Sequence, residues 1–393
     1  MNYIFSILSL SINYIYPLLI IPFVINGYGL SDFGKFSVVC SLVNLVNTCI
    51  LFNFDISLPA KFKKNVSCIY YSIIKFRVIL YVLFLFIMLF SVMFFNAEYQ
   101  WFLLSFLFIG SVINTSYIHI YNQDFKIIFK CSTYGKIISA ILTIGVVYIK
   151  ASICFLVFTS SLWILITPLL LLLNMKKYKK NKSIGMVNLL KVSYKSFISI
   201  LLSLFLTTLV QPLISYIANF SIAGQYAIYE KIMRAVLSLF DSIYKVFYTK
   251  ALKNRNLKLW VKRIVLISSS FLLIAIVVIW IIIQLKITYK GIVINDHIQE
   301  LFYIVLTVFF CSIGNGCLMT ILYPNNKFNA VNLALTVSIL LFLFSFFLVS
   351  YSVIEASVIN FLIILMISEF ISNFIKVIFS YFEVNKNEIT NNN

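Results

Sequence analysis

Residues 78–95 read VILYVLFLFIMLFSVMFF, eighteen positions in a row without a charge, a proline or a glycine. Residues 264–285 read IVLISSSFLLIAIVVIWIIIQL, again without a charge. A helix of roughly 20 residues crosses the hydrocarbon core of a bilayer. No water is available there, so backbone groups must be satisfied within a helix or within a closed barrel. Neither stretch alternates apolar with polar residues as a barrel strand does. Both are therefore expected to be transmembrane helices, and the rest of the chain is read outward from them.

Similar stretches recur from end to end. Spans are expected near residues 2–25, 36–58, 69–95, 101–121, 133–149, 153–174, 196–217, 225–247, 264–285, 300–322, 330–353 and 357–379. The composition agrees, with 62% hydrophobic and only 11% charged residues, far from a soluble domain. Residues 2–25 lack a basic n-region and a small-residue cleavage site, so they are expected to stay as the first span and not to act as a signal peptide. The seven cysteines are scattered, mostly in apolar segments, with no C-x-x-C; they read as small buried hydrophobes, implying neither disulfide nor metal.

Charge tests the span assignment, because Lys and Arg gather on the cytoplasmic side. With the N-terminus inside, 24 basic residues fall on the inner side and four (Lys35, Lys150, Lys286, Lys290) on the outer. The remaining three, Lys231, Arg234 and Lys245, lie within the eighth span. Both termini are thus expected to be cytoplasmic. The net charge of +19 follows from inner loops facing anionic headgroups. A nucleic-acid partner is not expected, because no basic, aromatic domain exists outside the spans.

The longest polar segment, about residues 175–195, divides six spans from six. Pro22 and Gly34 recur as Pro212 and Gly224 at an offset of 190, with Ser31 and Ser221 three residues before each Gly and Phe36 and Tyr226 two after. Basic loops follow at the same offset, PAKFKKN at 59–65 and TKALKNR at 249–255. The expected fold is all-α: about twelve helices in two six-helix bundles related by a pseudo-twofold along the membrane normal. The expected parts are an N-terminal bundle over 1–180, a basic cytoplasmic linker over 181–195, a C-terminal bundle over 196–380 and a polar cytoplasmic tail over 381–393.

The loops argue against an enzyme. Outer loops are short, the longest being about 286–299, and Glu98, Asp296 and Glu300 are isolated, so no paired carboxylates are offered. Gly314-x-Gly316 sits inside a span, where close helix packing is the expected role. His119 and His297 have no ligand partners at metal spacing, so no metal or other cofactor is implied.

Ionisable groups inside a membrane cost roughly 2.5–3.5 kcal/mol each at a helix centre. The eighth span holds five: Glu230, Lys231, Arg234, Asp241 and Lys245, all within a wedge of about 100°. That face must look into protein or water. Glu230–Arg234 and Asp241–Lys245 have the i,i+4 spacing of ion pairs. One reading is a packed, self-paired face with snorkelling ends. The other is a water-filled cavity in which Lys231 and Arg234 offer charge to an anionic substrate. Glu369 in the twelfth span is either a structural partner of Arg234 or a protonatable coupling group. Asp55 near the inner end of the second span fits an interfacial position equally well. Pro17, Pro22, Pro168 and Pro212 are positioned to kink helices.

Two stretches carry a family resemblance. Gly29-Leu30-Ser31-Asp32-Phe33-Gly34-Lys35-Phe36 resembles a G-L-x-x-F-G-x-[YF] turn, and Ala223-Gly224-Gln225-Tyr226-Ala227-Ile228-Tyr229-Glu230-Lys231-Ile232 resembles V-G-x-Y-A-x-A-x-K-I. With the length and the span pattern, the chain resembles the Wzx-type polysaccharide flippases, a branch of the multidrug, oligosaccharidyl-lipid and polysaccharide exporter superfamily. Two positions depart from the family pattern. Asp124 follows Gln123 where Gly is usual, and Asn53-Phe54-Asp55-Ile56 stands for D-x-G-[FY].

The resemblance implies translocation of undecaprenyl-pyrophosphate-linked repeat units of O-antigen or capsule across a bacterial inner membrane. It implies alternating access between the bundles, driven by H⁺ or Na⁺, with the lipid tail in the bilayer. A polysaccharide polymerase and a chain-length regulator are implied partners. Within that picture Lys231 and Arg234 are the substrate-binding cations, and Glu230, Asp241, Glu369 and Asp55 are cavity or coupling acids. The rivals are an O-antigen polymerase, a drug or cation antiporter of the same fold, and a non-catalytic membrane scaffold.

Overall fold

Uncharged runs of this length become helices because the helix satisfies every backbone group internally. The computed structural model describes residues 2–54, 69–95, 99–122, 124–175, 185–251, 257–285, 288–289, 292–293, 297–325 and 327–392. Helix α1 (Asn2–Tyr28) is followed by α2 (Leu30–Leu51), α3 (Tyr70–Phe95), a 3-10 stretch Tyr99–Phe106, α4 (Leu107–Ile113) and α5 (Ser116–Tyr121). Then come α6 (Phe125–Ile149), α7 (Ile153–Ser161), α8 (Trp163–Leu173), α9 (Met186–Thr207) and α10 (Val210–Ile217). The second part holds α11 (Phe220–Ala251), α12 (Leu257–Leu285), α13 (Ile298–Cys317), α14 (Phe328–Ser350) and α15 (Val358–Asn392). A two-stranded antiparallel hairpin, Thr288–Tyr289 with Ile292–Val293, sits between α12 and α13; it is the only strand structure among the described residues.

Among the described residues, ten helical segments are long and apolar enough to cross a membrane. Two expected spans fall outside that class. Within the first, the apolar helix is Ile15–Tyr28; the eighth corresponds to α11, whose charges exclude it. Phe86, Leu273, Trp280 and Phe344 are each at least 60% exposed, which puts large apolar side chains where lipid, not water, must meet them. The protein is a multi-pass membrane protein.

The chain divides into two compact units, Met1–Ser215 and Tyr216–Asn393. Residues 196–215, in the seventh expected span, group with the first unit. There Gln211 Oε1 accepts hydrogen bonds from Ser37 Oγ (2.7 Å) and Ser41 Oγ (2.8 Å) of α2. Phe197 stacks on Phe52 at 3.9 Å between ring centroids, and Asn53 Nδ2 donates to the Ser196 carbonyl at 3.1 Å. Of the expected linker, residues 181–184 lie outside the described residues, and Met186 onward is already helix. Helix also continues through the expected tail, to Asn392.

Inside the first unit, α6 packs on α1 and α8, and α4 packs on α8. Proline decides the last contact. Pro168 has no N–H, so the Ile164 carbonyl one turn earlier loses its helical donor. Gly110 of α4 closes on that carbonyl; a Cβ at Gly110 would stand only 2.2 Å from Ile164 O. The expected tight turn after the first helix is a single residue, Gly29, with φ of 83°. Only glycine takes that conformation without strain. The helices that follow the two repeated turns begin at Leu30 and Phe220, the same spacing of 190 residues as the Pro–Gly pattern.

Candidate functional site

In the second unit, α13 packs against α15, α11 and α12, and α15 also contacts α11. The close approach needs small residues. A Cβ at Gly314 would fall 2.0 Å from Asn373 Oδ1 of α15, and one at Gly316 would fall 2.7 Å from Ile264 of α12. The G-x-G pair thus has the packing role expected from its place inside a span. Immediately afterwards the helix widens into a π-turn, Leu318–Leu322, a feature that concentrates at functional sites.

This packing buries a chain of charges. On α11, Glu230 is 5% exposed and its Oε1 lies 3.5 Å from Arg234 Nε. The i,i+4 ion pair expected from the sequence is therefore formed. Arg234 Nη2 is buried and has no hydrogen-bond partner. Its electrostatic neighbours are Glu230, Glu369, Cys311 and Tyr226. Glu369 of α15 is buried and completes no ion pair with Arg234 within 4.0 Å among the described contacts. Its Oε2 instead accepts from Asn373 Nδ2 at 3.4 Å, and Asn373 Nδ2 also donates to the Glu369 carbonyl at 2.8 Å. Asn373 Oδ1 in turn accepts from Lys376 Nζ at 2.9 Å. Two acids and two cations are thus strung along α11 and α15, in the order Glu230, Arg234, Glu369, Lys376. Only Glu230 and Arg234 are in direct ion-pair contact, at 3.5 Å, and Glu369 and Lys376 are joined through the Asn373 amide.

Asp241 lies lower on α11 and accepts from Asn315 Nδ2 at 3.2 Å, tying α11 to α13. Its expected partner Lys245 has a side chain outside the described residues. Lys231 is half-buried and makes no hydrogen bond or ion pair among the described residues, so the structure does not bring it into the chain. Asp55 lies outside the described residues. The structure thus assembles Glu230, Arg234 and Glu369, places Asp241 nearby and leaves Lys231 apart.

Three basic residues counted as inner-side cations are instead buried. Lys376 is 4% exposed and belongs to the chain just described. Its signal was present in the sequence: Glu369, Asn373 and Lys376 are spaced i, i+4, i+7 on one helix face. Arg77 of α3 is 0% exposed. Its guanidinium donates to the Asn114 carbonyl at 2.6 Å and the Leu51 carbonyl at 3.3 Å, and lies over the rings of Phe54 and Tyr117 at 5.6 and 5.8 Å. Lys136 of α6 is 2% exposed, with its ammonium 5.3 Å from the Trp163 ring centroid. Linear charge counting assigns these groups to the inner side by their nearness to span ends, because it does not see which face of a helix turns inward.

The histidines are packed or hydrogen-bonded. His119 is buried with Nε2 3.2 Å from the Leu171 carbonyl, and His297 Nδ1 lies 3.1 Å from Tyr229 OH and 3.3 Å from Glu300 Oε1. Among the described residues no group of three His, Cys, Asp or Glu side chains is placed to hold a metal ion.

No protein-family model matches the chain, and no curated protein matches it in sequence. Solved structures do match it along nearly its whole length. An inward-facing multidrug resistance MATE family transporter of the MOP superfamily gives a TM-score of 0.54 at 10% identity, covering 99% of this chain and 96% of that one. A MOP superfamily transporter from Pyrococcus furiosus, described as having a binding pocket of reverse polarity that suggests a different function, gives 0.57 at 12% identity over 98% and 94%. A MATE protein in complex with Br-NRF gives 0.56 at 13% identity over 98% and 94%. The chain has the fold of MOP superfamily transporters.

Proposed function

We propose that this protein is a flippase that carries undecaprenyl-pyrophosphate-linked oligosaccharide repeat units, of O-antigen or capsule, from the cytoplasmic to the periplasmic leaflet of a bacterial inner membrane. The single observation that carries the reading is Arg234. It is a guanidinium deep in a membrane helix, held at Nε by Glu230, with Nη2 buried and unused. A buried donor without an acceptor costs about 1–3 kcal/mol, a cost that an anionic ligand at Nη2 would offset. A pyrophosphate oxygen is the matching acceptor, since the guanidinium fork suits phosphate geometry. Lys231, half-buried three residues away on α11, adds charge for the same headgroup or for acidic sugars.

In this reading the chain spans the membrane twelve times as two six-helix bundles with both termini cytoplasmic, and it works by alternating access without covalent chemistry. Glu230, Asp241, Glu369 and Asp55 are the acids available for coupling to H⁺ or Na⁺. A polysaccharide polymerase and a chain-length regulator act on the product on the far side. The fold supports a transporter, and the cationic Arg234 end favours an anionic cargo over an amphipathic cation.

The test is deletion of the gene in its host, with surface polysaccharide separated by length. Loss of every added unit, with lipid-linked units accumulating inside, is the expected result. If single units still reach the surface and only long chains vanish, the protein is the polymerase and this reading fails.

A further inference from the structure

We infer that Lys376 is the resident counter-ion of Glu369, and that by holding this carboxylate through the Asn373 amide it keeps Arg234 available to an anionic ligand. The inference rests on the flippase reading for the identity of that ligand, but the pairing itself rests on geometry alone.

Glu369 has two cations to choose from, Arg234 on α11 and Lys376 on its own helix. If it took Arg234, a second carboxylate would neutralise the guanidinium and compete with a phosphate for its Nη donors. The observed arrangement is the other one. An ammonium only donates and a carboxylate only accepts, so an amide can join them in one orientation, with oxygen toward the ammonium and nitrogen toward the carboxylate. Asn373 has that orientation, with Oδ1 on Lys376 Nζ at 2.9 Å and Nδ2 on Glu369 Oε2 at 3.4 Å. Its Nδ2 is pinned a second time by the Glu369 carbonyl at 2.8 Å, and it lies 3.5 Å from Cys311 Sγ of α13. Gly314 supplies the space, because a Cβ there would occupy the position of Asn373 Oδ1.

No other group takes over this role. The charged or titratable neighbours of Arg234 are Glu230, Glu369, Cys311 and Tyr226, and those of Lys376 are Glu369, Cys311, Cys317 and Asp241. Asp241 accepts from the Asn315 amide. Lys376 is therefore a positioning residue. It acts on Glu369, and through it on Arg234.

The experiment uses the purified full-length protein and farnesyl pyrophosphate as the probe, with binding read by calorimetry and folding by thermal melting. K376Q is expected to weaken binding about tenfold or more, as Glu369 turns to Arg234 and occupies its free donor. The double variant K376Q/E369Q is expected to recover binding to within about threefold of the parent, although it lacks two buried charges. G314A, which displaces the Asn373 amide without touching a charge, is expected to lose binding in the same way and to be rescued by E369Q.

Parental affinity in K376Q, or a double variant as weak as K376Q, overturns the inference. If K376Q does not accumulate, the G314A and G314A/E369Q pair decides the matter in the same sense. If no form binds the probe, the anionic-cargo reading fails. The pairing is then judged by melting: K376Q/E369Q more stable than K376Q supports it, and equal or lower stability overturns it.

Discussion

Arg77 in the first unit and Arg234 in the second are both arginines on long helices, yet their surroundings differ in kind: Arg77 is fully buried, and the Arg234 side chain is 22% exposed. Arg77 is surrounded by groups that accept or screen its charge: two carbonyl oxygens at helix ends and two aromatic faces. It closes the junction of α2, α3 and α5, where Phe52, Phe54, Phe76 and Tyr117 form a core cluster. Arg234 has one carboxylate at Nε and an unused Nη2. A charge closed off on every side by neutral groups is part of the architecture. One that is partly exposed beside a single carboxylate stays within reach of a partner. The charge of the residue type does not distinguish these roles; the inventory of acceptors around it does.

The comparison can be broken most directly at Arg77. R77A should leave two carbonyls and a packed aromatic cage without their centre, at a cost on the order of 3–5 kcal/mol. The expected outcome is loss of most folded protein from the membrane fraction, seen as low yield and a collapsed melting transition. R234A should act on function instead, with at least a tenfold fall in export of the first repeat unit per folded molecule, read by complementing the deletion strain, and with the yield lost by stranding Glu230 recovered in R234A/E230Q. An R77A protein that folds normally, or an R234A protein that exports normally, would dissolve the distinction.

A second pair of sites sharpens it at a smaller scale. Gly110 in the first unit meets backbone, at Ile164 O and Leu165 Cα, whereas Gly314 in the second meets a side chain, Asn373, from its Oδ1 back to its Cβ. Backbone atoms cannot turn aside at all and Asn373 can move only its amide, so G110A should cost about 3 kcal/mol and G314A about 2 kcal/mol, both as overpacking. Thermal melts of the two variants give the order. The smallest effect is expected at the exposed Lys35–Asp32 pair, 2.9 Å apart. D32N should shift stability by less than about 0.5 kcal/mol, as solvent-exposed pairs do.

Much of this was legible before any coordinates. The helices follow from uncharged runs, the i,i+4 pair Glu230–Arg234 from spacing, and a tight turn after the first helix from the repeated Pro–Gly pattern, though its length of one residue does not. Gly314 and Gly316 were readable as packing residues because small residues inside a span have few other uses. Lys376 escaped because it was counted as an inner cation by its nearness to the end of a span. Arg77 and Lys136 escaped in the same way. The two hydrogen bonds that draw Gln211 onto α2 link residues more than 150 positions apart and leave no periodic trace in the chain.

What the sequence by itself determined is the class of the protein, the rhythm of its spans and the concentration of charge on α11, because hydropathy and helical spacing are local properties. What only the tertiary structure decided is which charges are paired. Spacing leaves the partner of Glu369 open, and folding sets Asn373 and Lys376 beside it. The reason is physical: Coulomb and hydrogen-bond energies depend on distances of a few ångströms between side chains on α11, α13 and α15, and those distances exist only once Gly314 lets the helices close.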